Sequence, residues 1–280
     1  MKQKILGTVQ LGMPYGINNG VMPDRAYSLK LLEAAYDLGV RYLDSARAYG
    51  ESLEIIGDYH RKNPSKKFKV FSKFMLQDIT SNFSDLINNH KELLAIDQLE
   101  GFYFHRFNEY QLSSNLIEKL SKEEMGLVGV SLYSAQELEV VCRDPVVSII
   151  QIPLSIFHHY SEIKKKVKEV KNKKIYARSI FLQGLLFMAE EKLTGNLSPF
   201  LKTRHFLEQT SSELNLSLAE LAASYVMDME KVDGVLFGAE KIEQVKDTES
   251  LLTAKNLDWD YILKKMPKVD DQLLNPGNWK

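Results

Sequence analysis

Tyr42-Leu43-Asp44-Ser45-Ala46-Arg47-Ala48-Tyr49-Gly50 is the stretch whose reading decides the fold. The β-branched, aliphatic and aromatic run at 40–43 predicts a buried strand that breaks off at Asp44, with Tyr49 five residues on and Gly50 marking a turn. Polar side chains at the carboxyl end of a strand stand where α/β folds carry their chemistry. Working outward, two more predicted strands end the same way. Val70-Phe71-Ser72 runs into Lys73, and Gly101-Phe102-Tyr103-Phe104 runs into His105. Lys and Asp are rarely buried unless paired, so an acid, a phenol, an amine and an imidazole on three consecutive strands ask for more than a packing explanation.

Strand-like and helix-like patterns alternate along the whole chain, which predicts parallel βα units. Strands are expected at 5–9, 40–44, 69–71, 99–104, 127–130, 146–152, 175–177 and 235–237. The first helix opens near Pro23-Asp24, turns Tyr27, Leu31, Ala35 and Leu38 to one face, and stops at Gly39. Ser52 is the expected N-cap of the helix after strand two, and a further helix is expected over 79–94. Ser134-Ala135-Gln136-Glu137 and Ser217-Leu218-Ala219-Glu220 are capping-box patterns that start two later helices. Asp44, Lys73, His105, Ser131, Gln151 and Ser179 are spaced by 29, 32, 26, 20 and 28 residues, each near one βα unit. Eight such strands predict a closed (β/α)8 TIM barrel in a single domain over 1–280, with its active site at the carboxyl ends of the strands. The gap of 58 residues from Ser179 to Phe237 places an insertion after strand seven at about 181–214, and 253–280 reads as a carboxyl-terminal extension.

Composition removes several functional classes. In 280 residues, 36 Lys plus Arg stand against 37 Asp plus Glu, and this net charge of −1 gives no ground for a nucleic-acid or anionic-membrane partner. Cys142 is the only cysteine, so an internal disulfide and a cysteine-rich metal site are excluded. It falls on the apolar side of a predicted helix and is read as packing. His158 and His159 are read as solvent-facing loop residues, and no metal site is expected. The chain enters its first strand without an apolar leader and has no run long enough to span a bilayer, so a cytoplasmic protein is expected.

The four polar residues permit a specific reaction. A phenol is a weak acid near neutral pH, and an adjacent ammonium favours its phenolate and brings it toward the working range. An aspartate paired with that lysine keeps the ammonium charged. A neutral histidine orients a carbonyl oxygen. Together they protonate an oxygen as a hydride arrives at its carbon.

On these residues the chain resembles the aldo-keto reductases over nearly its whole length. The motifs are Leu43-Asp44-Ser45-Ala46 with Tyr49-Gly50, Lys73, His105, Gly129-Val130-Ser131, Gln151 before Pro153, Gln183-Gly184-Leu185-Leu186, and Gly238-Ala239 followed by Glu243-Gln244-Val245. The resemblance implies that Asp44, Tyr49, Lys73 and His105 are catalytic and that NADPH, or NADH, lies extended across the barrel mouth. It implies that Ser131 and Gln151 hold the nicotinamide carboxamide and that Gln183 and Gly184 lie near the pyrophosphate. Arg178, Ser179, Gly238, Lys241 and Gln244 complete the implied cofactor site. This chain departs from the family pattern at Leu132, where an asparagine is common, and at Arg178, where a tyrosine often stacks on the nicotinamide. Gln244, Asp247 and Thr248 replace the usual Arg, Glu and Asn, leaving Lys241 as the nearby cation for a 2′-phosphate.

Arg47, Arg106 and Arg178 all fall at or just beyond strand ends, which predicts a positive rim suited to an anionic or sugar-type carbonyl substrate. The tail 275–280 is expected to fold back with Trp279 as a stacking surface. The expected function is NAD(P)H-dependent reduction of an aldehyde or ketone with Tyr49 as proton donor. A cofactor-binding regulatory or scaffold protein with the same fold is the alternative. A barrel hydrolase or lyase built on Asp44 and His105 lacks the paired carboxylates or metal ligands that such chemistry uses.

Overall fold

A computed structural model describes residues 2–17, 22–113 and 126–279. Eight parallel strands close into a barrel in chain order: β1 Gln3–Gly7, β2 Tyr42–Asp44, β3 Lys69–Phe74, β4 Gly101–Phe104, β5 Leu127–Ser131, β6 Ile149–Pro153, β7 Lys174–Arg178 and β8 Gly234–Gly238. β8 returns to β1, pairing Gly238 with Gly7. Helices on the outside bury their apolar faces against the strands. Leu31, Leu32 and Ala35 do so from the helix Arg25–Asp37, whose N-cap Asp24 accepts from the N–H of Tyr27. Leu38, expected on that face, lies past the helix end and is exposed.

Both predicted capping boxes form. Ser134 with Glu137 starts the helix Ala135–Cys142, and Ser217 with Glu220 starts Leu218–Met227. Cys142 packs against the core as expected. Elsewhere the boundaries move. The first strand ends at Gly7, and Val9 opens the short helix Val9–Gly12, so the expectation of a strand to residue 9 is corrected. The helix expected from Ile79 begins only at Phe83, because Asn82 caps it by accepting from the N–H of Asp85. Ser52 is no cap either. Glu51 holds that position for the helix Ser52–Lys62, and the Ser52 hydroxyl is buried, donating to Thr8 Oγ1 at 2.7 Å and facing Ser45 Oγ at 2.9 Å. The residues after β7 form single turns of 3-10 helix and then the helix Phe200–Glu213. The tail carries the helix Trp259–Lys265 and two further turns.

The barrel interior is a layer of large side chains fitted over glycines. Ile5, Phe71, Tyr103, Ile149, Tyr176 and Leu236 form a cluster separate from the strand–helix core. In register, Phe71 of β3 sits beside Gly101 of β4, Tyr103 beside Gly129 of β5, and Tyr176 beside Gly234 of β8. A Cβ on those glycines would come within 2.9, 2.3 and 2.9 Å of the neighbouring ring. Each inward aromatic therefore needs a strand neighbour without a side chain, and the filled layer makes a solid floor for what stands above it.

Candidate active site

The strand period of two carries one side chain from each strand to the layer above this floor. Asp44, Lys73, His105 and Ser131 come two residues after Tyr42, Phe71, Tyr103 and Gly129. Gln151, Arg178, Gly238 and Gly7 come two after Ile149, Tyr176, Leu236 and Ile5. All eight line one cavity of about 570 Å³ at the carboxyl ends of the strands.

Asp44 is the centre of its bonding. Its carboxylate is ion-paired with the Lys73 ammonium and accepts from Gln151 Nε2 at 2.8 Å, while its backbone carbonyl accepts from the N–H and the hydroxyl of Thr8. Asp44 and Lys73 are 3% and 2% exposed. Burial pushes the Lys73 amine below its ordinary value, and Asp44 opposes that shift. A pair this dry needs its geometry, because either charge alone would be stranded.

Tyr49 reaches the same space from the turn after β2. The loop is tied down at Ser45, whose N–H donates to Phe71, and at Arg47, whose N–H donates to Lys73. At its far end Gly50 has φ +55°, and it crosses Gly12 so closely that a Cβ on either would lie about 2 Å from the other segment's backbone. The Tyr49 ring meets His105 edge-on with centroids 5.7 Å apart, and Lys73 Nζ lies 5.1 Å from its centroid. Its hydroxyl nevertheless does not behave as expected. Burial comes first and Asp44 second in holding the phenol above its ordinary value, with Arg178 pulling it down. The expectation of a phenol drawn toward the working range is therefore corrected: burial and Asp44 keep the proton on Tyr49.

His105 is held neutral, as expected. Burial, then Lys73, Arg178 and Arg106, push it down to about 3. Its Nδ1 and Gln151 Oε1 are buried without a hydrogen-bond partner. Both atoms belong to residues that line the cavity, and buried polar groups left without a partner ask for one.

Of the residues the resemblance assigned to a cofactor, Ser131, Gln151, Arg178, Ser179, Gln183, Gly184, Gly238 and Gln244 line the cavity. Ser179, Gln183 and Gly184 adopt left-handed backbone at φ +56°, +55° and +89°, turning the chain back over the mouth after β7. Gln244 Oε1 accepts from the N–H groups of Glu240 and Lys241 at the start of the helix Ile242–Leu251. Lys241 is exposed and is not part of the cavity wall. Leu132 is wholly buried in the core.

The arginine rim is not assembled. Arg47 pairs with Glu54 at 3.4 Å, and Arg106 is exposed at the N-cap of the helix Phe107–Leu112; neither lines the cavity. Trp279 packs edge-on to Phe200 and donates its indole N–H to the Leu273 carbonyl at 2.7 Å, so the tail does not offer it to the mouth. His158, expected to face solvent, is instead 2% exposed, with Nδ1 accepting from the Ser155 N–H at 3.2 Å. Reading from sequence missed Gln10, Tyr15, Tyr133, Phe187 and Glu240 in the wall. Gly7 had a usable signal, since it stands two residues beyond the inward Ile5.

A model of the aldo/keto reductase family matches residues 5–263. The chain belongs to that family. An uncharacterized oxidoreductase of Bacillus subtilis, YqkF, is 24% identical over 92% of this chain and 93% of its own. Among solved structures, the glycerol dehydrogenase of Gluconobacter oxydans superposes with a TM-score of 0.70 at 20% identity, over 98% of this chain and 94% of that one. An aldo/keto reductase from Klebsiella pneumoniae in complex with NADP and acetate gives 0.68 at 16%, over 95% and 92%. At these identities the structural likeness speaks for the shared barrel.

Proposed function

We propose that this aldo/keto reductase family member is an NAD(P)H-dependent oxidoreductase that reduces an aldehyde or ketone to an alcohol. The observation that carries the reading is the convergence of Asp44, Tyr49, Lys73 and His105 on one cavity whose phenol is held protonated and whose imidazole is held neutral. The donor set fits a nicotinamide. Gln151 Oε1 is a buried acceptor in want of a donor such as a carboxamide N–H, and Ser131 lies beside it in register. The Klebsiella relatives bound to NADP and NADPH support the same choice.

A bound reduced nicotinamide supplies a hydride to the carbonyl carbon, and is itself oxidised. The protein supplies the rest. Tyr49 gives its proton to the carbonyl oxygen, and solvent replaces it after the alcohol leaves. Lys73, kept charged by Asp44, lies near the ring on which negative charge develops. His105, neutral, turns the substrate oxygen toward Tyr49. Asp44 also fixes the Gln151 amide through Nε2, which leaves Oε1 without a protein partner.

Oxidation of NADPH over a panel of carbonyl compounds, followed at 25 °C with wild type and Tyr49→Phe, tests the reading. The variant is expected to bind NADPH as tightly as wild type and to lose about 10²- to 10⁴-fold in kcat, the range of a general acid. A Tyr49→Phe enzyme with wild-type turnover refutes the proton donor, and a wild type that oxidises NADPH with no carbonyl refutes the reductase.

A further inference from the structure

Three hydroxyls that take no part in the chemistry above, those of Thr8, Ser45 and Ser52, are wholly buried and bonded to one another around the loop that carries Tyr49. Each has one hydrogen to give. Thr8 Oγ1 gives its hydrogen to the Asp44 carbonyl at 3.0 Å, because a carbonyl can only accept. None is left for Ser52, so Ser52 donates to Thr8 across 2.7 Å. With the Ser52 hydrogen spent, the 2.9 Å contact between Ser45 and Ser52 is a donation from Ser45. The hydroxyls therefore form a one-way chain from Ser45 to Ser52 to Thr8 to the Asp44 carbonyl, and such chains polarise and strengthen in a low dielectric.

This chain encloses the proton donor. The contact between Ser45 and Ser52 closes the loop 45–52, within which Tyr49 stands, and Thr8 ties the closed loop to the end of β1. The Ser52 N–H donates to the Tyr49 carbonyl at 3.1 Å, and the Tyr49 N–H donates to the Ala46 carbonyl at 3.0 Å. Ser52 thus grips the Tyr49 backbone with its N–H while its hydroxyl is anchored on both sides. The chain ends on the backbone of Asp44, the partner of Lys73. Proton donor and ion pair are set against each other through one line of hydroxyls.

We propose that Ser52 is a positioning residue for the proton donor: its hydroxyl, held between Ser45 and Thr8, sets where the Tyr49 phenol stands relative to Asp44 and Lys73. This rests on the carbonyl-reductase reading. Ser52 is outside the cavity wall, so it acts through Tyr49, and its loss shows in the proton-transfer step.

Ser52→Ala, Thr8→Val and Thr8→Ser, compared with wild type, test this. Thr8→Val keeps the shape of the side chain without its hydroxyl, and Thr8→Ser keeps the hydroxyl without the methyl. Ser52→Ala and Thr8→Val are each expected to lower kcat about 10-fold, and the double variant no further than the slower single one, because either change breaks the same chain. Thr8→Ser is expected to recover most of the rate. The NADPH Kd of Ser52→Ala is expected to stay within about twofold of wild type. The signature is isotopic: with the proton donor displaced, the rate becomes more sensitive to D2O and no more sensitive to deuterium at the transferring position of NADPH. A variant that is merely less well folded loses rate with both isotope effects unchanged, and that result overturns the proposal. Wild-type kcat in Ser52→Ala overturns it, as does a weakened NADPH Kd as the main defect, or a Thr8→Ser enzyme as slow as Thr8→Val. A wild type that reduces no carbonyl compound sinks the reductase reading instead, and hydrogen exchange at the Tyr49 and Ser52 amides then judges the positioning by itself. Exchange that quickens there but not across the strands, in both Ser52→Ala and Thr8→Val, supports it; exchange that is unchanged, or that quickens equally throughout the barrel, overturns it.

Discussion

Lys73→Met isolates what the buried pair does. The substitution leaves an unbranched side chain one atom shorter and removes the cation paired with Asp44, leaving a 3%-exposed carboxylate with Gln151 Nε2 as its one side-chain donor among the described residues. Stranding one partner of a buried ion pair costs about 3–5 kcal/mol. Unfolding entropy of about 2.1 cal/mol/K per residue, over a chain of 280 residues, makes each kcal/mol worth roughly 1.7 °C in Tm, so the variant is expected to melt about 5–9 °C below wild type. Lys73→Met/Asp44→Asn removes the stranded charge and is expected to regain more than half of the lost Tm, while remaining inactive. Scanning calorimetry of the three proteins decides the matter. A single variant that melts within about 2 °C of wild type at pH 8, or a double variant that melts below the single one, refutes the claim that Asp44 depends on Lys73 for its burial.

Two other changes can be read from the structure. Lys241→Ala, at an exposed N-cap beside Gln244, is expected to weaken NADPH about 5-fold and to spare NADH if it meets the 2′-phosphate; equal Kd changes for both cofactors, measured by fluorescence titration, would move that contact elsewhere. His90 and His158 are buried and pushed down to about 4 and about 3, so the folded state keeps them neutral while the unfolded chain takes up protons below about pH 6.5. Stability should therefore fall with falling pH by up to about 1.4 kcal/mol per unit for each, seen as a drop in urea midpoint from pH 7 to pH 5, and the slope should shrink in His158→Gln.

The fold was legible because the sequence carries two periodicities at once. The βα spacing from Asp44 to Ser179 places the strands, and the period of two within each strand puts Asp44, Lys73, His105, Ser131 and Gln151 on one layer. What misled was local chemistry with more than one outlet. A serine at a helix start reads as a cap, yet the Ser52 hydroxyl is drawn into the core by Thr8 and Ser45. His158 reads as polar loop, but Ser155 offers it a backbone and a hydroxyl partner inside the fold. Arginines at strand ends read alike, and only the parity of position separates them: Arg178 is two residues past the inward Tyr176, while Arg106 is three past Tyr103 and lies outside the cavity wall. The wall residues Tyr15, Tyr133 and Phe187 come from loops, where no period applies.

That parity also shapes the electrostatics of the site. The layer above the floor, one residue per strand, holds three charges, and two of them pair as Asp44 and Lys73. Burial first and Asp44 second keep the proton on Tyr49, while Arg178 draws the phenol the other way. The third charge, Arg178, stands on the opposite strand with neutral neighbours, so it acts on the site through distance.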